Sequence, residues 1–199
     1  MGADFAAKAQ NSAESCSDPD IPGTIFTLGP TDYPIEAHVW DPVLEICKKR
    51  AESGNAIAQY ILGDLYWTGS VPIKQDRTKA LKFFELSADQ GYVKAQSYLG
   101  VIYTNNWISG PDFDKGLSLL RSAANQGDSD AQYSLAMKYQ DGAPHIIRDY
   151  VQAYMWYNLA CANGDNLGCF SIDELSKQMT KEQIAEGQKL SREWKPAKR

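Results

Sequence analysis

The residues best equipped for chemistry in this 199-residue chain are four cysteines, Cys16, Cys47, Cys161 and Cys169, and two histidines, His38 and His145. Cys161 and Cys169 fall in ACANGDNLGC, with Asn163-Gly164 between them. A zinc-type site would need two further ligands. Only His38 and His145 could supply imidazoles, and neither sits at a metal-ligand spacing. A dithiol redox centre expects Cys-x-x-Cys, which is absent. Two readings stay open: a structural disulfide, or two small, reduced, buried thiols. Cys16 and Cys47 pose the same choice, a second bridge tying the first segment to the first helix or an ordinary buried thiol at Cys47. The patterns Ser-x-x-Lys, His-Glu-x-x-His and Gly-x-Ser-x-Gly do not occur. Asp173 and Glu174 are neighbours in sequence, so they project to different helix faces and read as a solvated edge rather than an acid–base pair. His145, in GAPHIIRD, reads as a solvated loop residue, and His38 as structural. With no convergent constellation and no cofactor or metal motif, the chain reads as non-enzymatic.

Composition narrows the partners. The net charge is −5, which disfavours a nucleic-acid surface built from clustered Lys and Arg. The apolar fraction of 43% suits a folded globular chain. No apolar run approaches the ~18 residues of a membrane span. The start, MGADFAAKAQ, lacks the apolar core of a signal peptide, and Ala6 stands where a myristoylation signal wants Ser or Thr.

The elements that would position these residues repeat. Gly54, Gly91, Gly127 and Gly164 are 37, 36 and 37 residues apart. Three residues before each stands a small residue: Ala51, Ala88, Ala124 and Cys161. Four after stand Ala58, Ala95, Ala131 and Gly168, and eight after stand Leu62, Leu99, Leu135 and Ile172. Seven before stand Cys47, Phe84, Leu120 and Tyr157. Within each unit the apolar spacing is helical. Each glycine suits the left-handed conformation that ends a helix, and Pro72, Pro111 and Pro144 fall in the loops between helices. The spacing predicts a lone helix over 42–52 and pairs over 55–67 with 76–89, 92–104 with 112–125, and 128–140 with 149–162. A further helix follows over 165–177, and a last one begins at a Thr180/Gln183 capping box and ends near Trp194. Helices this short need neighbours to be stable. The expected organisation is an extended segment over 1–41, an all-α solenoid of antiparallel helix pairs over 42–179, and a capping helix and tail over 180–199.

The strings GDSDAQYSLAMKYQDG and AYMWYNLACANGD resemble the Sel-one-like repeat (SLR) family, a relative of the tetratricopeptide repeat. The resemblance covers about 42–194, and KQMTKEQIAEGQKLSREW resembles the terminal cap of bacterial members. TNNWISGPDFDKG departs from the family's usual loop. The resemblance implies a right-handed superhelix that binds other proteins, as an envelope adaptor or as a periplasmic immunity protein sequestering a secreted toxic effector. The alternative it carries is a weak hydrolase or a β-lactam- or peptidoglycan-binding protein, proposed for cysteine-rich relatives. ACANGDNLGC resembles the bridged corner of those relatives, which supports the disulfide and, with it, a periplasmic or secreted location.

In a solenoid of this kind the first helix of each pair lines the concave side. Positions there that do not serve the core carry Ile61, Asp64, Trp67, Tyr98, Val101 and Met137. Most are too apolar for a merely solvated surface, so they are the candidate contact residues for a protein partner, with Trp107 in the unusual second loop. Asp64, Asp130 and Asp141 favour a partner of basic character. The chain is expected to act as a monomer.

Overall fold

The structure is a computed structural model, and it describes residues 40–69, 73–105, 107–108 and 112–197. The named elements among the described residues are all helices: α1 (Trp40–Glu52), α2 (Ala56–Thr68), α3 (Arg77–Asp89), α4 (Val93–Thr104), α5 (Phe113–Asn125), α6 (Ser129–Asp141), α7 (Tyr150–Ala162), α8 (Asn166–Ser176) and α9 (Lys181–Glu193). Each lies within two residues of its expected limits. The earliest start is at α1, which opens at Trp40 and carries Pro42 in its first turn, where a missing N–H costs nothing.

Local chemistry sets most boundaries. Asn55, Asp76, Asp112, Asp128, Asp149 and Asp165 cap α2, α3, α5, α6, α7 and α8, each side chain accepting a hydrogen bond from a first-turn N–H. Thr180 and Gln183 close the expected capping box on α9. At the corners that follow α1, α3, α5 and α7, Gly54, Gly91, Gly127 and Gly164 all have φ between 82° and 95°. A side chain in that region would strain the backbone.

The chain divides into two compact units, residues 1–95 and 96–199, with α4 running across the division. In the first unit, Cys47 and Ala51 of α1 pack with Ala58, Leu62 and Leu65 of α2. Phe84 of α3 is fully buried, and its ring lies so close to Gly63 that an added Cβ would meet it at 2.6 Å. Cys47 is disulfide-bonded, so the thiol alternative falls; its expected partner, Cys16, lies outside the described residues, as do His38, Pro72 and Pro111.

In the second unit, Gly100 of α4 faces Gly116 of α5, and a Cβ on Gly116 would stand 2.6 Å from that of Tyr103. The helix YVQAYMWYNLACA, α7, buries residues all round its axis: Ala153, Tyr154, Met155, Trp156, Tyr157, Leu159 and Ala160. A helix apolar on every side must be wrapped, and α6, α8 and α9 wrap it. Gly187 of α9 sits against the Tyr154 ring, and Trp194 lies 6.4 Å from Trp156.

Buried amides stitch the corners. Gln59 Nε2 donates to Ala51 O at 3.1 Å, and Gln132 Nε2 donates to Ala124 O at 3.1 Å. One residue before each later glycine, a second amide reaches back to the first helix of its own pair: Gln90 to Gln59, Gln126 to Gln96 and Asn163 to Gln132. The position held by Gln59, Gln96 and Gln132 is Cys169 in the last corner, and there Cys161 and Cys169 are disulfide-bonded with Cα atoms 4.7 Å apart. The disulfide reading therefore holds over the reduced pair.

Candidate protein-binding site

In the first unit the candidate residues follow one face of α2 at three-residue steps. Ile61 is half-buried against the Cys47–Leu65 cluster. Trp67 is also half-buried, its ring 6.5 Å from Phe84 with the Arg77 guanidinium 5.1 Å from its centroid. Both are therefore anchored at their inner edges and offer only their outer edges. Asp64 lies between them. Burial pushes its carboxyl above the usual carboxylate range, and no cation among the described residues pairs with it. A carboxylate held in a desolvated place without a counter-ion costs stability.

In the second unit, Tyr98 and Val101 lie half-buried on α4, Met137 is 40% exposed on α6, and Trp107, in the loop after α4, is 46% exposed. Beside Met137, Lys138 Nζ donates to Thr104 O at 3.2 Å and to Asn105 Oδ1 at 2.5 Å. The ammonium thus closes the C-terminal end of α4 and ties α6 to it; desolvation lowers its pKa, opposed by Asp141. Tyr157 donates to Gln140 Oε1 at 2.9 Å, and burial pushes its phenol up. These bonds fix the backbone that presents Met137. The structure divides the seven candidates between the two units.

The residues with catalytic potential do not converge. Pro144 and His145 form the centre of a tight turn in which Ala143 and Ile146 exchange both backbone hydrogen bonds. His145 takes φ 61° there, the glycine-like place of a type II turn. Its imidazole is exposed and lies 4.0 Å from Asp114, itself exposed. Among the described residues, no group of three or more His, Cys, Asp or Glu is placed to hold a metal ion. No helix among them is long and apolar enough to cross a membrane.

Sequence reasoning missed Leu167 and Phe170 on α8, which are 61% and 65% exposed. The signal in the sequence was faint. Three residues after the corner glycine the other units carry Ile57, Lys94 and Asp130, so an apolar residue at Leu167 has a precedent in Ile57. Only burial separates the two, for Ile57 is half-buried and Leu167 is not.

The Sel1 repeat model matches residues 56–92, 93–128 and 129–165, more than half of the chain. An alginate biosynthesis protein, AlgK of Azotobacter vinelandii, is 31% identical over 73% of this chain, which spans only 28% of that relative. The Sel1-repeat-containing protein YjcO of Escherichia coli K12 is 27% identical over 66% of this chain and 59% of its own length. The crystal structure of a Sel1 repeat protein from Oxalobacter formigenes superposes with a TM-score of 0.56 at 29% identity, covering 66% of this chain and 97% of that one. The 36–37-residue period, the capped helix pairs and the glycine corners have the same explanation as these matches: the chain belongs to the Sel1 repeat family, whose members are helical-repeat proteins that mediate protein–protein interaction.

Proposed function

We propose that this protein is a non-enzymatic adaptor that binds a protein partner of basic character through the exposed faces of its first helices. The first unit contributes Ile61, Asp64 and Trp67, and the second contributes Tyr98, Val101, Trp107 and Met137. The solenoid over 42–179 carries the binding, with 180–199 as its cap. The observation that carries the reading is Asp64. Its half-buried carboxylate lacks a counter-ion in the described chain, and it stands between two anchored apolar side chains. A Lys or Arg of a partner would supply the missing charge, while Trp67 and Ile61 exclude water around the pair. The Cys161–Cys169 bond favours an oxidising compartment, so the adaptor works in the periplasm or outside the cell.

Photo-crosslinking in the organism that encodes the protein tests this. A photoreactive residue at position 67 or 98 should trap a discrete protein, and Asp64→Asn should weaken that crosslink. Labels on α2 and α4 that trap nothing, beside labels elsewhere that do, would move the site off this face.

Asp64 also makes a stability prediction. Its folded pKa is raised, so between the unfolded and folded values the native state binds more protons than the unfolded state. Stability contributed at this position is present at low pH and lost as pH rises through the folded value. Asp64→Asn should therefore raise the melting temperature at neutral pH and flatten its pH dependence in the weakly acidic range, as scanning calorimetry would show. A variant that melts lower at neutral pH would mean that the carboxylate is stabilised in the free protein.

A further inference from the structure

We propose that the cleft between α1, α2 and the start of α3 binds an acidic peptide segment of a protein partner, with an apolar side chain on Leu44, Tyr66 and Ile73 and carboxylates at Lys74 and Lys79. The cleft has a volume of about 470 Å³, a size common among ligand sites. It lies within the first unit, where α1, α2, the loop over 73–76 and α3 all contribute to it. None of Ile61, Asp64 and Trp67 lines it.

The floor is apolar and braced from behind. Leu44 and Ile73 pack against the Cys47–Leu65 cluster, and the Tyr66 ring stacks on Phe83 with centroids 5.8 Å apart and planes 6° apart. All three floor residues are half-buried, so each keeps a side open to the cleft.

The rim carries Lys48, Lys74 and Lys79 with Glu45 and Asp76. Both carboxylates are already engaged. Glu45 accepts from Lys48 Nζ at 2.7 Å. Asp76 caps α3 by accepting from Lys79 N at 3.0 Å, and its other oxygen lies 3.3 Å from Lys79 Nζ. Both carboxyls are held below the usual carboxylate range, Glu45 chiefly by the hydrogen bond from Lys48 and Asp76 chiefly by the backbone N–H of Lys79. Lys74 is exposed beside them, with no carboxylate within ion-pair distance among the described residues. The charge left over at the cleft is therefore positive.

The second unit shows which part of this arrangement belongs to the repeat. Tyr103 stands twelve residues after Gly91, as Tyr66 stands twelve after Gly54. Lys115 lies over the Tyr103 ring at 5.4 Å, as Lys79 lies over that of Tyr66 at 5.3 Å. A lysine over this tyrosine is thus a packing feature. Tyr103, however, is 8% exposed, whereas Tyr66 is half-buried and borders a cleft with a spare ammonium on its rim. A small anion would bring charge without a body for the floor. A chain that sets carboxylates around one large apolar side chain brings both.

Two blocked hexapeptides probe this: Asp-Glu-Phe-Leu-Glu-Glu and its amide counterpart, Asn-Gln-Phe-Leu-Gln-Gln. Titrated into the full oxidised chain and followed by NMR, the acidic peptide should bind saturably and shift the resonances of Tyr66 and Ile73. The amide peptide should bind at least about tenfold more weakly, and Lys74→Glu should weaken the acidic peptide by a similar factor. Lys74→Arg should retain binding, and both variants should keep the circular dichroism of the parent, because the side chain is exposed. Lys94→Glu makes the same charge change at an exposed lysine of α4, outside the cleft. At physiological ionic strength it should alter binding by less than about twofold. Absence of binding at millimolar peptide, equal binding of the two peptides, or indifference to Lys74→Glu overturns the proposal. So does equally tight binding of free hexanoate, for the cleft would then take small organic acids. A Lys74 ammonium shielded from an acetylating reagent in the free chain overturns it too, because the cleft would then already be filled.

Discussion

The corner at Gly127 and the corner at Gly164 turn the chain alike and are closed by different chemistry. Both glycines are left-handed, at φ 92° and 95°. Both corners return the same backbone bonds: Gly127 N and Asp128 N to Ala124 O and Ala123 O, and Gly164 N and Asp165 N to Cys161 O and Ala160 O. At the first, the Gln132 amide is bound from two sides, donating to Ala124 O and accepting from Asn163 Nδ2 at 2.9 Å. One side chain thereby ties the ends of α5, α6 and α7. At the second, Cys169 takes the place of Gln132 and Cys161 that of Ala124, and a covalent bond ties two helices. The interior corner can rely on an amide because the next pair supplies its other partner. The last corner is followed by α9, which packs on α7 and carries no such amide back. A disulfide needs no third element, since it acts by limiting the unfolded chain.

Substitutions at the two corners should separate the two kinds of closure. The largest effect should come from the packing that both corners serve. Leu135, fully buried eight residues after Gly127, should cost about 2–5 kcal/mol when changed to Ala. Ile172, at the matching place after Gly164 but partly exposed, should cost roughly half as much. Equal costs in urea unfolding would show that α8 is packed as tightly as α6. Next, Cys161→Ala with Cys169→Ala should lose about 2.5 kcal/mol, the chain-entropy value for so short a loop. The parent in reductant should fall further, because the bond at Cys47 is broken as well, and the double variant should respond only through that second bond.

Gln132→Leu should follow at about 2 kcal/mol, because it strands Ala124 O and the Asn163 amide together. If the loss is only that of a surface change, the amide is dispensable and the two corners are not equivalent. The smallest effect is the most diagnostic. Cys161→Ala with Cys169→Gln rebuilds the interior chemistry at the last corner and should recover about 1 kcal/mol over the double-alanine variant. No recovery would mean that the amide works only with its second partner, as the bond from Asn163 implies.

Much of the fold was legible because it repeats. A period of 36–37 residues samples the same packing environment several times, so a small residue at Ala58, Ala95 and Ala131, or an Asp cap before a helix, is read as a requirement rather than an accident. The expected helix limits, the capping box at Thr180 and the left-handed glycines all follow from backbone chemistry within a few residues of one another. The candidate site was less legible. Helical period puts Ile61 and Trp67 off the core stripe; it cannot show that the Cys47–Leu65 cluster takes the inner edge of Ile61, or that Phe84 and Arg77, on another helix, lie against Trp67.

Residues close along the chain suffice to set the helical segments among the described residues, their caps and their glycine corners, while the choice between a bridge and two thiols at Cys161 and Cys169 stayed open until the fold brought them together. Tertiary structure alone decided what depends on which helix lies over which. It set α9 on α7 rather than on α8, and so left Phe170 exposed where Tyr60 and Tyr133 are covered. It desolvated Asp64 with no cation against it among the described residues, and it bound Gln132 from two sides. The physical reason is the same in each case. Backbone bonding is local and repeats with the period, whereas burial is a property of distant segments that meet only once the chain has folded.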